Sequence, residues 1–411
     1  MASVAVWAVP ATAASYNLFA GYRGEYSDNI RLSAGPTEDE AVHALRVGMA
    51  ARSEAREFDM TAIAYADFRD YYRDTFQDQT RAALDANARW RPLRQLAWSV
   101  EEYYGQARID VTQPNTPSNT QDVNVFAFGP NVYLFPSGRD IVELGVRYGN
   151  YYLERDESDA HRYVGLARWR RGLSPITDVS LNFEMLKVDR YERGVDYDRL
   201  HSFVELERRR PRGHYRAAFG ATSARGEVED DEPFARIEWL HRLASDAQTT
   251  LVFGTRLSDY AEDVLATGTL PETGMTGTYR LDYAQLQYLT QSARAGDRVT
   301  VYAETREFLA GGEERRQGGL LEIGLGFSER LSGALLGGFV AIRYADTDVE
   351  DRDSTGGARL SYRLTRHMSG GIEARYSTRA SSAAARDYDE RRGALSLSYD
   401  TNPALAGRMG R

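Results

Sequence analysis

The chain of 411 residues contains no cysteine, only 6 histidines, and no uncharged run long enough to cross a bilayer as a helix. Each absence removes a class of protein. Without thiols there is neither a disulfide framework nor a thiolate metal site. His43, His161, His201, His214, His241 and His367 are scattered without ligand spacing. His201 adjoins Ser202, but neighbours on a strand point to opposite faces, so that pair is not a dyad. A membrane helix needs about 20 mostly apolar residues in a row. Val123 to Gly138 is broken by Pro130 and Pro136, and Leu331 to Ile342 is short and holds three glycines. Concentrated positive charge is lacking as well. The formal charge of -9 speaks against nucleic acid as a partner. No Gly-rich phosphate loop, HExxH or paired-cysteine spacing occurs, so the sequence indicates no cofactor, no metal site and no catalytic residues.

What is present is alternation. The segment Gly393-Ala394-Leu395-Ser396-Leu397-Ser398-Tyr399 sets Leu395, Leu397 and Tyr399 on one face and Ala394, Ser396 and Ser398 on the other. About twenty such stretches follow one another with no helical domain between them, which describes strands with one oily and one wet side. The connections alternate between short turns, such as Phe135-Pro136-Ser137-Gly138 and Thr365-Arg366-His367-Met368, and longer polar segments. The longer ones are Ile109 to Gln121, Glu154 to Asp159, Gly226 to Glu232, Glu262 to Thr276, Leu309 to Gln317 and Asp346 to Ser354. Outer-membrane barrels have short periplasmic turns and longer outside loops. The expected fold is therefore all-β, a transmembrane antiparallel up-and-down barrel of about 20 strands, with 18 as the alternative. Mean hydropathy is only -0.53, but a barrel needs just every second residue apolar. The 26 tyrosines suit a lipid–water boundary. Soluble sandwiches and propellers also alternate, but strands of about 13–15 residues exceed their usual 5–6.

Met1 to Ala14 is apolar and then small, with Ala11-Thr12-Ala13 fitting a cleavage site, and reads as the remnant of a signal peptide. Residues 15–400 read as a single barrel and 401–411 as a short tail. Assigning faces by alternation puts Val142, Leu144, Val146 and Tyr148 toward lipid, and likewise Val179, Leu181, Phe183 and Met185. The same phase turns Leu321, Ile323, Leu325 and Phe327 outward, then Leu336, Val340, Ile342 and Tyr344, then Ala358, Leu360, Tyr362 and Leu364. Charge in lipid at the midplane costs about 2–4 kcal/mol per Arg or Lys. The charged residues between these belong in the lumen: Glu143, Arg147, Arg168, Glu184, Arg236, Glu238, Arg256, Arg343, Arg359 and Arg363. Around Tyr279 to Tyr288 the apolar phase shifts, which suggests a bulge.

Two acidic runs, Glu227 to Glu232 and Asp346 to Asp353, offer oxygen ligands to hard cations or a bridge to lipopolysaccharide phosphates. The plainer reading is solvated, self-repelling loops. The basic run Arg208-Arg209-Arg210-Pro211-Arg212 falls at a short turn, where an acidic periplasmic partner or lipid headgroups would meet it.

Glu25-Tyr26-Ser27-Asp28-Asn29-Ile30-Arg31-Leu32 resembles the E-Y-x-D-N-hydrophobic-x-L opening of the β-barrel porins associated with exopolysaccharide and PEP-CTERM loci. The resemblance rests on these eight residues and on the Tyr-rich style of residues 15–400. It implies an outer-membrane component of polysaccharide secretion, with a polysaccharide substrate and periplasmic export components as partners. One departure is the end of the chain, which runs past Tyr399 to Met409-Gly410-Arg411 instead of closing on a terminal aromatic. The function expected is a non-enzymatic conduit in the outer membrane, in contact with its lipid and lipopolysaccharide, for an exopolysaccharide or sugar-like solutes. The alternatives are a barrel enzyme modifying lipid or polysaccharide, and a structural or adhesive barrel with a plugged lumen.

Overall fold

The computed structural model describes residues 14–109, 113–154, 159–190, 196–226, 229–259, 261–262, 278–292, 295–309, 311–345, 347–403 and 405. The signal-peptide segment up to residue 13 and residues 263–277, which take in all but the start of the Glu262 to Thr276 connection, lie outside the described residues. Twenty strands run in chain order: β1 (Ala14–Ser27), β2 (Glu40–Glu54), β3 (Phe58–Tyr71), β4 (Gln79–Leu93), β5 (Leu96–Arg108), β6 (Thr120–Leu134) and β7 (Asp140–Leu153). They continue as β8 (Ala160–Ser174), β9 (Thr177–Arg190), β10 (Tyr197–Arg210), β11 (Gly213–Gly226), β12 (Asp230–Ala244), β13 (Ala247–Asp259) and β14 (Thr278–Thr290). The last are β15 (Ala295–Phe308), β16 (Glu313–Gly326), β17 (Leu331–Tyr344), β18 (Val349–Arg363), β19 (Met368–Ser381) and β20 (Tyr388–Asp400). Each strand pairs antiparallel with its sequence neighbours, and β1 pairs with β20, so the sheet closes into a barrel without edges. Closure on an even number brings β1 and β20 to the same end, where Asn402 donates its backbone N–H to Asn17.

Short turns close one end through side-chain oxygens: Thr365 accepts from the amides of His367 and Met368, and Ser137 from those of Arg139 and Asp140. The other end carries the longer connections. Several expected acidic loops are in fact strand. β12 begins at Asp230, β16 at Glu313 and β18 at Val349, because the acids of those runs pair with arginines across the sheet. Asp351 is fully buried, beside Arg379 and Arg386.

Cross-strand register carries one phase around the barrel, with shifts only beside the turns on β4, β8 and β12. Leu144, Val146, Phe183, Met185, Leu325, Leu360 and Leu395 all stand exposed on the outside. Tyr16, Trp90, Trp169, Tyr288, Tyr362 and Tyr399 ring the turn end, and Tyr26, Tyr152, Tyr163 and Tyr376 stand nearer the loops. An apolar belt between aromatic girdles is the outer surface of a membrane barrel. The protein is an outer-membrane β-barrel.

Strand length then explains two departures from simple alternation. A strand of about 14 residues, rising roughly 3.3 Å each at about 40° tilt, climbs near 35 Å, whereas the apolar band is about 25 Å tall. The loop end therefore stands above the lipid, and there the two faces exchange character. On β14 the register stays regular with both neighbours, so the suspected bulge is absent. Its loop half turns Tyr279 and Leu281 inward, both buried, and Arg280 outward, while its turn half exposes Leu286 and Tyr288 outside.

β17 corrects the expected faces. Leu335 and Phe339, 52% and 45% exposed, face lipid. Leu336, Val340, Ile342 and Tyr344 face inward, opposite Glu322, Gly318, Arg316 and Glu314. Both faces of this strand are apolar, so composition could not set its phase. Charge was a false guide because Arg343 stands above the belt, on the outer face opposite Arg315 and Glu350.

One close approach requires glycine. A Cβ at Gly220 would lie 1.9 Å from the Ser202 carbonyl oxygen, beneath an inward cluster in which His201 and Phe203 meet Phe234 at 4.4 and 5.0 Å between ring centroids. Gly220→Val is expected to destabilise the barrel by about 1–3 kcal/mol through forced backbone displacement. A lowered midpoint in heat-modified gel migration is the check.

Candidate functional site

The functional space of a barrel is its interior, and here the two halves differ. In the turn half the inner wall is wet. Ser332, Ser361, Ser369, Ser396 and Ser398 line a recess of about 560 Å³ with Gly324 and Gly371. Arg23, Glu373, Arg359 and Glu322 flank it, paired at 3.4 Å (Arg23–Glu373) and 3.7 Å (Arg359–Glu322). Arg359 keeps 46% of its side chain exposed although it faces the interior, which means that water fills this half.

Register places nine of the ten expected lumen residues inside. Glu143 accepts the Tyr133 hydroxyl at 2.8 Å, and Arg147 donates to Glu101 at 3.0 Å. Arg168 begins a ladder across β8 to β12, through Glu205, Arg216 and Glu238 to Arg236, with contacts between 2.9 and 3.7 Å. Arg256 lies over the Tyr283 ring at 5.9 Å, and Arg363 is an inward, exposed residue on β18 opposite Ser369. Glu184 is drawn into a separate cluster by Arg199. Arg343 is the exception, bonded outside to Asp348 at 3.1 Å.

The loop half is packed. Inward residues there form apolar clusters, such as Val123, Val125, Tyr151 and Leu153 with Ala107. Leu186 and Val188 pack with Tyr197 and Ala160. Ala261, which follows β13, belongs to the first cluster, so the chain leaving β13 turns into the barrel and reaches the wall of β5 to β7. Two buried arginines hold it there. Arg162 of β8 donates to Asp259 at 2.6 Å, and Arg199 of β10 donates to Glu262 at 2.8 Å and also to the Leu257 carbonyl at 3.3 Å. Tyr197 gives its hydroxyl to Asp259, and the Glu262 amide caps back onto Asp259 at 2.9 Å. β10 and β8 lie three and five strands from β13, so this clasp ties separate parts of the wall together.

Burial alone would raise the Glu262 carboxyl, but the Arg199 guanidinium holds it below the ordinary glutamate range. A depressed carboxylate contributes its stability above its unfolded value, about pH 4.3, and loses it as pH falls through the lower folded one. The clasp is expected to hold at pH 5 and to release only below the ordinary glutamate range. Channel current recorded as a function of pH would show this as an acid-only step.

Arg162, Arg199, Tyr197, Asp259 and Glu262 did not stand out in the sequence. The available signal was apolarity on both faces, as in Val123 to Phe128, where Val123 and Val125 point in and Phe126 and Phe128 point out. A strand oily on both sides above a membrane belt has something packed within. Among the described residues no group of His, Asp and Glu is arranged to hold a metal ion. Of the Asp346 to Asp353 run, Asp348, Glu350, Asp353 and Asp351 are instead taken by Arg343, Arg352, Arg379 and Arg386 respectively. The basic run at the β10–β11 turn has Arg209 bonded to Asp178 and Glu207.

No family model and no curated protein matches the chain. Similar solved structures include the ferric enterobactin receptor PfeA of Pseudomonas aeruginosa, 8% identical over 93% of this chain and 81% of that one, with a TM-score of 0.48. The siderophore receptor PirA from Acinetobacter baumannii is 6% identical over 94% and 80%, with a TM-score of 0.48. The copper transporter OprC is 10% identical over 94% and 80%, with a TM-score of 0.44. Likeness of this degree leaves the ligand of the present chain to its own residues.

Proposed function

We propose that this barrel is a non-enzymatic conduit in the outer membrane for a sugar-like solute or an exopolysaccharide. The observation that carries the reading is the turn-half wall, where five serines with paired Arg and Glu offer hydrogen-bond donors and acceptors to hydroxyls. A polyhydroxylated solute can exchange its water for such a wall at little cost. Polymer would enter from the turn side, where export components and the basic β10–β11 turn would meet it, and would leave past the clasped loop end. The loop-half packing favours a second reading, a barrel held shut that serves structurally in contact with lipid and lipopolysaccharide.

Conductance and secretion separate the two. Purified protein in planar bilayers is expected to pass current, and proteoliposomes to swell in isotonic neutral oligosaccharide. A deletion strain is expected to hold polymer in the periplasm. Silent bilayers together with normal surface polymer in the deletion strain would leave the structural reading.

A further inference from the structure

The outer face of β12 to β17 carries a groove of about 800 Å³ at the upper edge of the lipid belt. Its floor is small, formed by outward Ala235, Ala284, Ala303 and Ala341, with Phe253 beside them. Arg315 and Arg343 stand above this floor as direct cross-strand partners on the same face. Like charges in that position repel, and the sheet tolerates them only where an anion relieves them. Their present partners do little of this. Arg343 meets Asp348, which is 86% exposed, and Arg315 meets Glu313 along its own strand. Exposed pairs of this kind exchange readily with other anions. The three acids lining the groove are already directed elsewhere, Asp282 to Arg280, Glu304 to Arg306 and Arg316, and Glu350 to Arg352. Arg352, outward opposite Ala341, adds a third guanidinium to the arc.

We propose that this groove binds lipopolysaccharide of the outer leaflet, with an acyl chain along the alanine floor and a phosphate between Arg315 and Arg343. Three observations converge on that ligand. The recess lies in the lipid-facing surface, so its occupant is an amphiphile. Guanidiniums match phosphate oxygens in bidentate geometry. The site is at the end with the longer connections, which in outer-membrane barrels is the outside. This site does not depend on what the lumen conducts.

The test uses the full chain in detergent with purified lipid A as probe, read by native mass spectrometry. Wild-type protein is expected to retain one lipid A through delipidation. Arg315→Glu with Arg343→Glu is expected to lower retention at least tenfold. Ala303→Trp, which fills the groove and leaves both arginines in place, is expected to do the same. Arg225→Glu, an exposed outer-face change far from the groove, is expected to retain lipid A at the wild-type level. Heat-modifiable migration certifies folding, and if the charge-reversed protein fails to assemble, Ala303→Trp decides. Equal retention in wild type and Ala303→Trp would overturn the site. One-for-one displacement of lipid A by phosphatidylglycerol would overturn the choice of lipopolysaccharide.

Discussion

Arg199→Ala is expected to lower the stability of the barrel by about 3 kcal/mol, because it strips the nearest cation from Glu262 and Glu184 within the packed loop half. The size follows from burial. The Arg199 side chain is 4% exposed, but Glu262 and Glu184 keep 25% and 32% of theirs exposed. Water therefore screens them in part, and the loss falls at the lower end of what a broken buried pair costs. Replacing both members of the closer pair by apolar residues of similar shape tells a different story. Arg199→Met with Glu262→Met is expected to recover part of the loss, since the Glu262 charge goes with its partner and only Glu184 is left without Arg199. The double variant separates a structural clasp from a general intolerance of change at this height in the barrel. Thermal unfolding followed by gel migration gives both values, and an Arg199→Ala loss below about 1 kcal/mol would mean that the pair is in effect solvated.

Phe339→Arg and Val340→Arg are neighbours with opposite expected outcomes. Phe339 faces lipid, and a guanidinium there is expected to cost about 2–4 kcal/mol near the midplane and to reduce assembly sharply. Val340 faces the lumen between Gly318 and Asp353, where an added arginine meets water and a carboxylate. It is expected to assemble nearly as wild type. Leu181→Arg and Ser180→Arg give a smaller contrast on β9, where Leu181 is outward and Ser180 inward but buried beside Arg168 and Glu205. Ser180→Arg is therefore expected to assemble better than Leu181→Arg and less well than Val340→Arg. Outer-membrane yield of the four variants measures the phase of two distant strands at once. Equal yields from Phe339→Arg and Val340→Arg would contradict the face assignment.

How far the sequence reveals this depends on height in the barrel. Within the lipid belt one face must be apolar and the other must meet water, so β7, β9, β16 and β18 could be phased from residues such as Leu144, Phe183, Ile323 and Leu360. Above the belt that constraint vanishes. Arg343 and Ile342 on β17 exchange the roles their types suggest, because Arg343 stands in water outside and Ile342 in packing inside. The acidic run at Asp346 looked like a solvated loop for a related reason. Its partner Arg379 lies on the next strand, at a distance of 26 to 28 residues that no local pattern reveals. The clasp is harder still, since Arg162 and Asp259 are 97 residues apart and meet only because the chain after β13 turns inward. The polar wall of the turn half was legible in part, through Arg359 and Arg363. The recess itself depends on serines and glycines from several strands coming together.

The chain has no cysteine of its own, so single introduced thiols can report which inner surfaces meet water. The decisive measurement is the labelling rate of Arg363→Cys, Leu360→Cys and Val125→Cys in proteoliposomes with a membrane-impermeant maleimide. Arg363→Cys, in the wet turn half, is expected to label fast, and Leu360→Cys, in the lipid belt, to stay unlabelled. Val125→Cys, buried against Ala261, is expected to label only when Arg162→Met and Arg199→Met are added to undo the clasp. Labelling of Val125→Cys at the Arg363→Cys rate with the clasp intact would contradict a loop-half wall covered by the segment that follows β13.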